Sequence, residues 1–234
     1  VTPAARGAAR AAALLAVLLA AARVPVRAES RAEFIARWLR AYRPAAEADA
    51  APAEGSPLGR RLAEAALEQT KGITLYDPSY VSLAYPGGDV PSGRGVCTDV
   101  VIRAYRKVGV DLQVSVHEDM KAHFAAYPPI YGRRAPDASI DHRRVPNLMV
   151  FFGRRGRVLP ITKDAKDYRP GDVVAWDLGG GVTHVGFVAR ETGAGGRPLI
   201  IHNIGEGPKL EDRLFEWRII GHFRYEPAAA RVTR

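Results

Sequence analysis

Cysteine is almost missing from this chain: 234 residues hold one, Cys97. A single thiol excludes any intramolecular disulfide, so the fold has to rest on its apolar core. Methionine is scarce as well. There are two in all, and none precedes Met120, which leaves the leading Val1 as an alternative start or a truncation. Long apolar runs are lacking too: Ala11 to Ala22 is twelve residues, short of the about 20 that cross a bilayer as a helix. No long basic block with interleaved aromatics occurs, which argues against nucleic acid as a partner. There is no internal repeat, and no low-complexity tract beyond the alanine-rich leader.

What is present at the start reads as a secretory signal over residues 1–28. Arg6 and Arg10 form a basic region, the apolar run follows, and Val26-Arg-Ala28 makes a small-residue cleavage site. The expectation is an exported protein of the periplasm or cell envelope, with no stable membrane span after signal cleavage. No cysteine near the cleavage point offers a lipid anchor. The formal charge of the chain is +9. Removing Arg6, Arg10, Arg23 and Arg27 with the leader takes away no acid and leaves 30 basic against 25 acidic residues. That mild excess suits an anionic envelope polymer, although a solvated arginine-rich surface accounts for it equally. An exported chain that keeps one unpaired thiol in an oxidising compartment has either buried it or uses it. A monomer is expected.

The remaining residues are enough for one core and a small accessory piece. Residues 29–57 read as a helical N-terminal extension, with Phe34, Ile35, Trp38, Leu39 and Tyr42 at helical spacing, followed by a connector punctuated by Pro44, Pro52 and Pro57. A second helix is expected from about Leu58 to Lys71. From Ile73 the texture becomes turn-rich, then a helix opens at Cys97 and runs to about Val108. A mostly helical or irregular stretch covers about 114 to 169. Four strand-like runs follow, Asp172–Asp177, Thr183–Ala189, Pro198–Asn203 and Trp217–Tyr225. Helices first and consecutive short strands afterwards describe an α+β domain over 58–227, with an antiparallel sheet of about four or more strands and a tail at 228–234. A doubly wound fold does not fit.

Cys97 follows the glycine-rich stretch Tyr85-Pro-Gly-Gly-Asp-Val-Pro-Ser-Gly-Arg-Gly-Val and opens the apolar-periodic run Thr98-Asp-Val-Val-Ile-Arg-Ala-Tyr-Arg. A side chain in the first turn of a helix faces free backbone N–H groups and the positive end of the dipole. The expectation is a thiol with a pKa below its free value of about 8.5, and a nucleophile. A buried structural cysteine is the alternative.

Two histidines strengthen the catalytic reading. His184 lies in Thr183-His-Val-Gly-Phe-Val and His202 in Leu199-Ile-Ile-His-Asn, with the hairpin signal Arg190-Glu-Thr-Gly-Ala-Gly-Gly-Arg197 between them. A hairpin tip at Gly193 pairs His184 directly with His202; a tip at Ala194 makes them diagonal neighbours on one face. Either way one imidazole can orient the other. Asn203 is the alternative third group, but neighbouring strand residues point to opposite faces, so only one of His202 and Asn203 can face His184. Gly186 either leaves room beside the imidazole or marks a close backbone contact.

His117 and His123 are six apart, which separates them around a helix, and no further cluster completes a metal site; neither metal nor another cofactor is expected. Asp137-Ala-Ser-Ile-Asp-His142-Arg143-Arg144 has two readings. The arginines, with His142, could dock substrate carboxylates bidentately, or an Asp–Arg network could pin a long loop. Arg154 and Arg155 look like solvated turn residues.

Three elements in order resemble the NlpC-type cell-wall cysteine peptidases of the papain-like superfamily: Tyr85-Pro-Gly-Gly with Gly95-Val-Cys97, then Tyr168-Arg-Pro-Gly-Asp-Val-Val-Ala-Trp176, then Thr183-His-Val-Gly-Phe-Val with Ile200-Ile-His202. Closer still, Gly95-Val-Cys-Thr-Asp-Val-Val-Ile-Arg, Ile140-Asp-His-Arg-Arg-Val-Pro-Asn-Leu and Ile201-His-Asn-Ile-Gly-Glu-Gly-Pro are similar to an exported family called domain of unknown function 1287. The resemblance implies a papain-like fold with a nucleophile helix packed on the sheet, Cys97 as nucleophile, His184 as base, His202 as orienting group and Tyr85 at the cleft wall. It also implies an amidase or endopeptidase acting on peptidoglycan stem peptides or another envelope amide. A same-fold acyl transferase and a non-catalytic envelope-binding module remain as alternatives. The chain departs from the peptidases in carrying Thr98-Asp99 where they carry Ser-Gly. Asp99 is either ordinary first-turn electrostatics or a grip for a substrate amine.

Overall fold

The computed structural model describes residues 29–42, 46, 54–72 and 75–228. The expected signal, Pro44, Pro52, Ile73 and the tail from 229 lie outside the described residues. Five α-helices are found among those described: α1 (Arg31–Ala41), α2 (Pro57–Glu68), α3 (Cys97–Lys107), α4 (Leu112–His123) and α5 (Val145–Arg155). None of them is long and apolar enough to cross a membrane.

The helix starts follow from local chemistry. Ser56 caps α2, its hydroxyl accepting from Gly59 N at 2.9 Å, with Pro57 at the first position, where its missing N–H costs nothing. Asp111 caps α4 through Gln113 N. Val96, before α3, has no side-chain acceptor, so the capping is done in reverse. Asp99 reaches back from the third position and its Oδ2 accepts from Val96 N at 2.7 Å.

Six strands form one sheet: β3 (Arg157–Val158), β4 (Val173–Asp177), β5 (Thr183–Thr192), β6 (Pro198–Asn203), β7 (Pro208–Glu211) and β8 (Arg218–Arg224), in the order β3-β8-β4-β5-β6-β7, every pair antiparallel. The α+β architecture with an antiparallel sheet is therefore observed. Four strands fall where the residue patterns place them; β3 and β7 are additional. A parallel pair, β1 (Leu75–Tyr76) with β2 (Arg94–Gly95), sits before α3.

Alternation divides the sheet residues between two clusters. Val173, Ala175, Val185, Phe187, Ala189, Ile201 and Phe223 join the residues of α2, α3 and α5 in the main core. Val174, Trp176, Val188 and Ile200 face the other way, onto Tyr168 and Leu214. Burying each large side chain contributes on the order of 1.5–3 kcal/mol. Helix α1 belongs to the same body, because Ile35 is part of the main core and Tyr42 Oη donates to Met149 O at 2.8 Å. The Arg169-Pro-Gly-Asp172 entry to β4 is fixed by Asp172, which lies buried between Arg224 (Nε to Oδ1, 2.7 Å) and His222 (Nε2 to Oδ2, 2.9 Å).

Candidate active site

The register of β5 on β6 decides where the histidines go. Gly186 faces His202, Phe187 faces Ile201 and Val188 faces Ile200. These pairs centre on Ala194, whereas beyond a register shift between Val188 and Thr192 the turn-side pair, Thr192 with Pro198, centres on Gly195, inside the short 3₁₀ turn Ala194–Gly196. Direct pairing of His184 with His202 about Gly193 is thus corrected to the diagonal arrangement. His184 Nε2 lies 2.7 Å from His202 Nδ1. Gly186 is a close contact: a Cβ there would come within 2.8 Å of Ile201 O and 2.9 Å of His202 Cβ. Trp176 and Trp217 flank His184 with ring centroids at 5.8 and 5.9 Å, and Trp217 also lies 6.0 Å from His202. Burial, with His202 alongside, pushes His184 down to about 3. Burial also lowers His202, against the opposing pull of Glu211. Both rings are neutral at ordinary pH.

Cys97 starts α3 and reaches β5 just where its pairing with β6 ends. The backbone N–H groups of Val185, one residue before the last paired glycine, and of Thr98 and Cys97 lie near enough to the sulfur to favour its thiolate. The thiol is 5% exposed. Burial pushes it up to about 12, and the Asp99 carboxylate adds to that; the three N–H groups oppose without prevailing. The expected lowering of the thiol pKa is corrected here. A helix start favours the thiolate, but desolvation in this closed cleft outweighs it.

The cleft beside the sulfur has a volume of about 150 Å³ and is bordered by Tyr76, Pro78, Tyr131, Arg144 and Thr183. Tyr76 was not singled out from the sequence. Its pairing with Gly95 through the β1–β2 ladder brings it beside Cys97. Burial and the nearby Cys97 and Asp99 push its hydroxyl up to about 12. The weak strand signal of a two-residue ladder gives little to find it by.

Of the residues expected to meet substrate, Arg144 is at the cleft, its guanidinium stacked over Tyr131 at 4.3 Å. Arg143 borders the same cleft, yet its charge is committed. Its Nε donates to Asp99 Oδ1 at 2.9 Å and its Nη2 to Asp99 Oδ2 at 3.0 Å, with both side chains buried. A direct grip by Asp99 or Arg143 on substrate is corrected accordingly. His142 is also corrected: it is 1% exposed inside the turn Asp141–Arg143, and burial, then Arg143, push it down to about 4. Tyr85 is not at the cleft wall. Asp111 and Gln113 hold its loop against α4 by accepting from Gly87 N (2.8 Å) and Gly88 N (2.9 Å), and Tyr85 Oη donates to Glu118 at 2.8 Å. Asn203 points away from the imidazoles; its amide donates to Gly95 O at 3.4 Å and accepts from Gly205 N at 3.2 Å. His117 and His123 each approach a separate aspartate, Asp141 at 3.7 Å and Asp119 at 3.6 Å. Arg154 is no free turn residue, because its Nε donates to the buried Asp119 at 2.8 Å.

Residues 63–225 match the model of a family described as a domain of unknown function, DUF1287, and the chain belongs to that family. A relative from Escherichia coli (strain K12), the uncharacterized protein YijF, is 52% identical over 164 residues, which is 70% of this chain and 80% of the relative. Among solved structures, NlpC1 from Trichomonas vaginalis is similar, with a TM-score of 0.41 and 17% identity over 76% of this chain. The chain spans about half the length of that structure, 48% of it.

Proposed function

We propose that this member of the family is an exported cysteine hydrolase that cleaves an amide bond in peptidoglycan stem peptides. The observation that supports it best is the junction of α3 with β5. There the Cys97 sulfur sits among three backbone N–H groups, against the strand that carries the His184–His202 pair. In this reading the thiol attacks the amide carbonyl as His184 takes its proton. The carbonyl oxygen gains charge and is met by backbone N–H groups such as that of Cys97. His184 then returns the proton to the nitrogen as the C–N bond breaks, the amine leaves, and water hydrolyses the thioester to regenerate the thiol and release the acid. Because the resting thiol and imidazole are both neutral, proton transfer accompanies attack rather than preceding it. Arg144 would meet a substrate carboxylate.

A second reading has one observation behind it: the thiol is buried and protonated, as in a packed cysteine of an envelope-binding module. Incubating purified sacculi with the wild type and with Cys97→Ala, then analysing the muropeptides, separates the two. The hydrolase releases paired new amine and acid ends with the wild type only. Sacculus binding by both proteins with identical muropeptide profiles supports the module and removes the hydrolase. Products carrying an added amine in place of water identify a transferase.

A further inference from the structure

The hydrogen-bond chain behind His184 does not stop at His202. On the far side of that ring, His202 Nε2 lies 3.0 Å from Glu211 Oε2, a residue of β7. The strand register accounts for the contact. Lys209 is directly opposite His202 and Glu211 opposite Ile200, so Glu211 is a diagonal neighbour on the same face. Its other oxygen, Oε1, lies 3.7 Å from Arg213 Nη2, and the Arg213 guanidinium lies 5.9 Å from the Trp217 ring that touches both imidazoles.

We infer that Glu211 is a positioning residue for the proposed reaction: through His202 it fixes which ring nitrogen of His184 is bare. The inference rests on that reading only for its kinetic consequence. An ionised carboxylate only accepts hydrogen bonds, so His202 Nε2 must carry the proton in that contact. A neutral imidazole has one N–H, so His202 Nδ1 is bare and can only accept. The 2.7 Å contact must then be donated by His184 Nε2. This leaves His184 Nδ1 as its basic nitrogen. Without Glu211, His202 can adopt either tautomer. In the reversed one, His202 Nδ1–H donates to His184 Nε2 and the proton of His184 moves to Nδ1, which abolishes the base. Glu211 thus supplies direction to a relay that two histidines alone leave degenerate.

The test is ¹⁵N spectroscopy of ring-labelled histidines in the full chain near pH 7.5, with signals assigned by single His→Gln variants, on the wild type, Glu211→Ala and Glu211→Asp. In the wild type both His184 and His202 should show a protonated Nε2 and a bare Nδ1. In Glu211→Ala both rings should move to a mixture of tautomers, and Glu211→Asp, which keeps the acceptor, should hold the wild-type pattern. A protonated Nδ1 on His184 in the wild type overturns the inference even if no variant folds. Unchanged tautomers in a folded Glu211→Ala overturn it as well. The spectra are read without substrate, so their failure is separate from a failure of the hydrolase reading. Where hydrolysis is detected, Glu211→Ala should lower kcat by about 10- to 100-fold with KM little changed, by analogy with loss of the carboxylate partner of a metal-ligating histidine. A change in KM alone would count against it.

Discussion

Arg143 and Asp99 form a two-pronged, buried ion pair directly beneath the first turn of the Cys97 helix. The same carboxylate caps Val96 N, so one side chain holds both the helix start and the loop bearing Arg143 and Arg144. Lysine cannot reproduce the two parallel bonds, and removing one partner leaves a buried charge, at a cost of about 3–5 kcal/mol. Arg143→Lys and Asp99→Ala should therefore lower the melting temperature, with activity falling in step with the folded fraction. Arg144→Lys should leave the melting temperature nearly unchanged and reduce kcat/KM by about 1–3 kcal/mol, the scale of a charge-assisted hydrogen bond. Thermal melts and kinetics on the same preparations check this; a purely kinetic defect in Arg143→Lys would reverse the assignment.

The thiol makes a second prediction. With Cys97 pushed up to about 12 by burial, alkylation by iodoacetamide should be slow and still climbing about tenfold per pH unit through pH 9, with no midpoint in that range, because only the thiolate reacts. Urea-unfolded protein should instead react along a curve centred near about 8.5. A midpoint below that value in the folded protein would mean that the cleft opens in solution and that the three N–H groups win over desolvation.

Much of this geometry was legible in the residue pattern. The Cys97 helix start and the two histidine strands follow from apolar periodicity and turn chemistry over short spans. The exact register of the hairpin did not, since a shift between Val188 and Thr192 offsets the histidine end from the turn, and nothing in the turn residues signals it. Long-range partners were harder. The loop arginines suggested local pinning through Asp137 or Asp141, whereas Arg143 bonds Asp99, 44 positions away. Glu211 was missed because β7 has four residues and a single strong apolar one, Leu210, too little alternation to register. The thiol shift was misjudged for a related reason: helix-end electrostatics are local and readable, while burial is a property of the whole fold.

The choice between His202 and Asn203 is open to direct measurement. His202 touches His184, and Asn203 instead ties the end of β6 to Gly95. His202→Ala should lower turnover by about 10²–10⁴-fold, the span of a general acid–base contribution. Asn203→Ala should do far less and act mainly through the loop before Cys97. Rates on stem-peptide substrates, normalised to folded protein, decide it, and equal losses would show that the loop matters as much as the imidazole.

The last prediction concerns acid. His184 is pushed down to about 3 and His142 to about 4, both by burial first. An unfolded histidine titrates near about 6.5, so between these values the unfolded chain binds protons that the native state refuses. Stability is then fully present above about pH 6.5 and is lost as pH falls towards 4 and 3. At about 1.4 kcal/mol per pH unit, His142 alone accounts for a loss on the order of 3 kcal/mol by pH 4. Carboxylates in ion pairs also weaken in acid, so the melting temperature of the wild type is not enough to isolate the effect. His142 lies outside the cleft, and its Nδ1 is buried with no hydrogen-bond partner, so His142→Leu removes the titration without breaking a bond at that atom. The difference in melting temperature between pH 7.5 and pH 4.5 should be smaller in His142→Leu than in the wild type. Equal differences would mean that the ring is already solvated in the native state and that its burial does not govern the acid response.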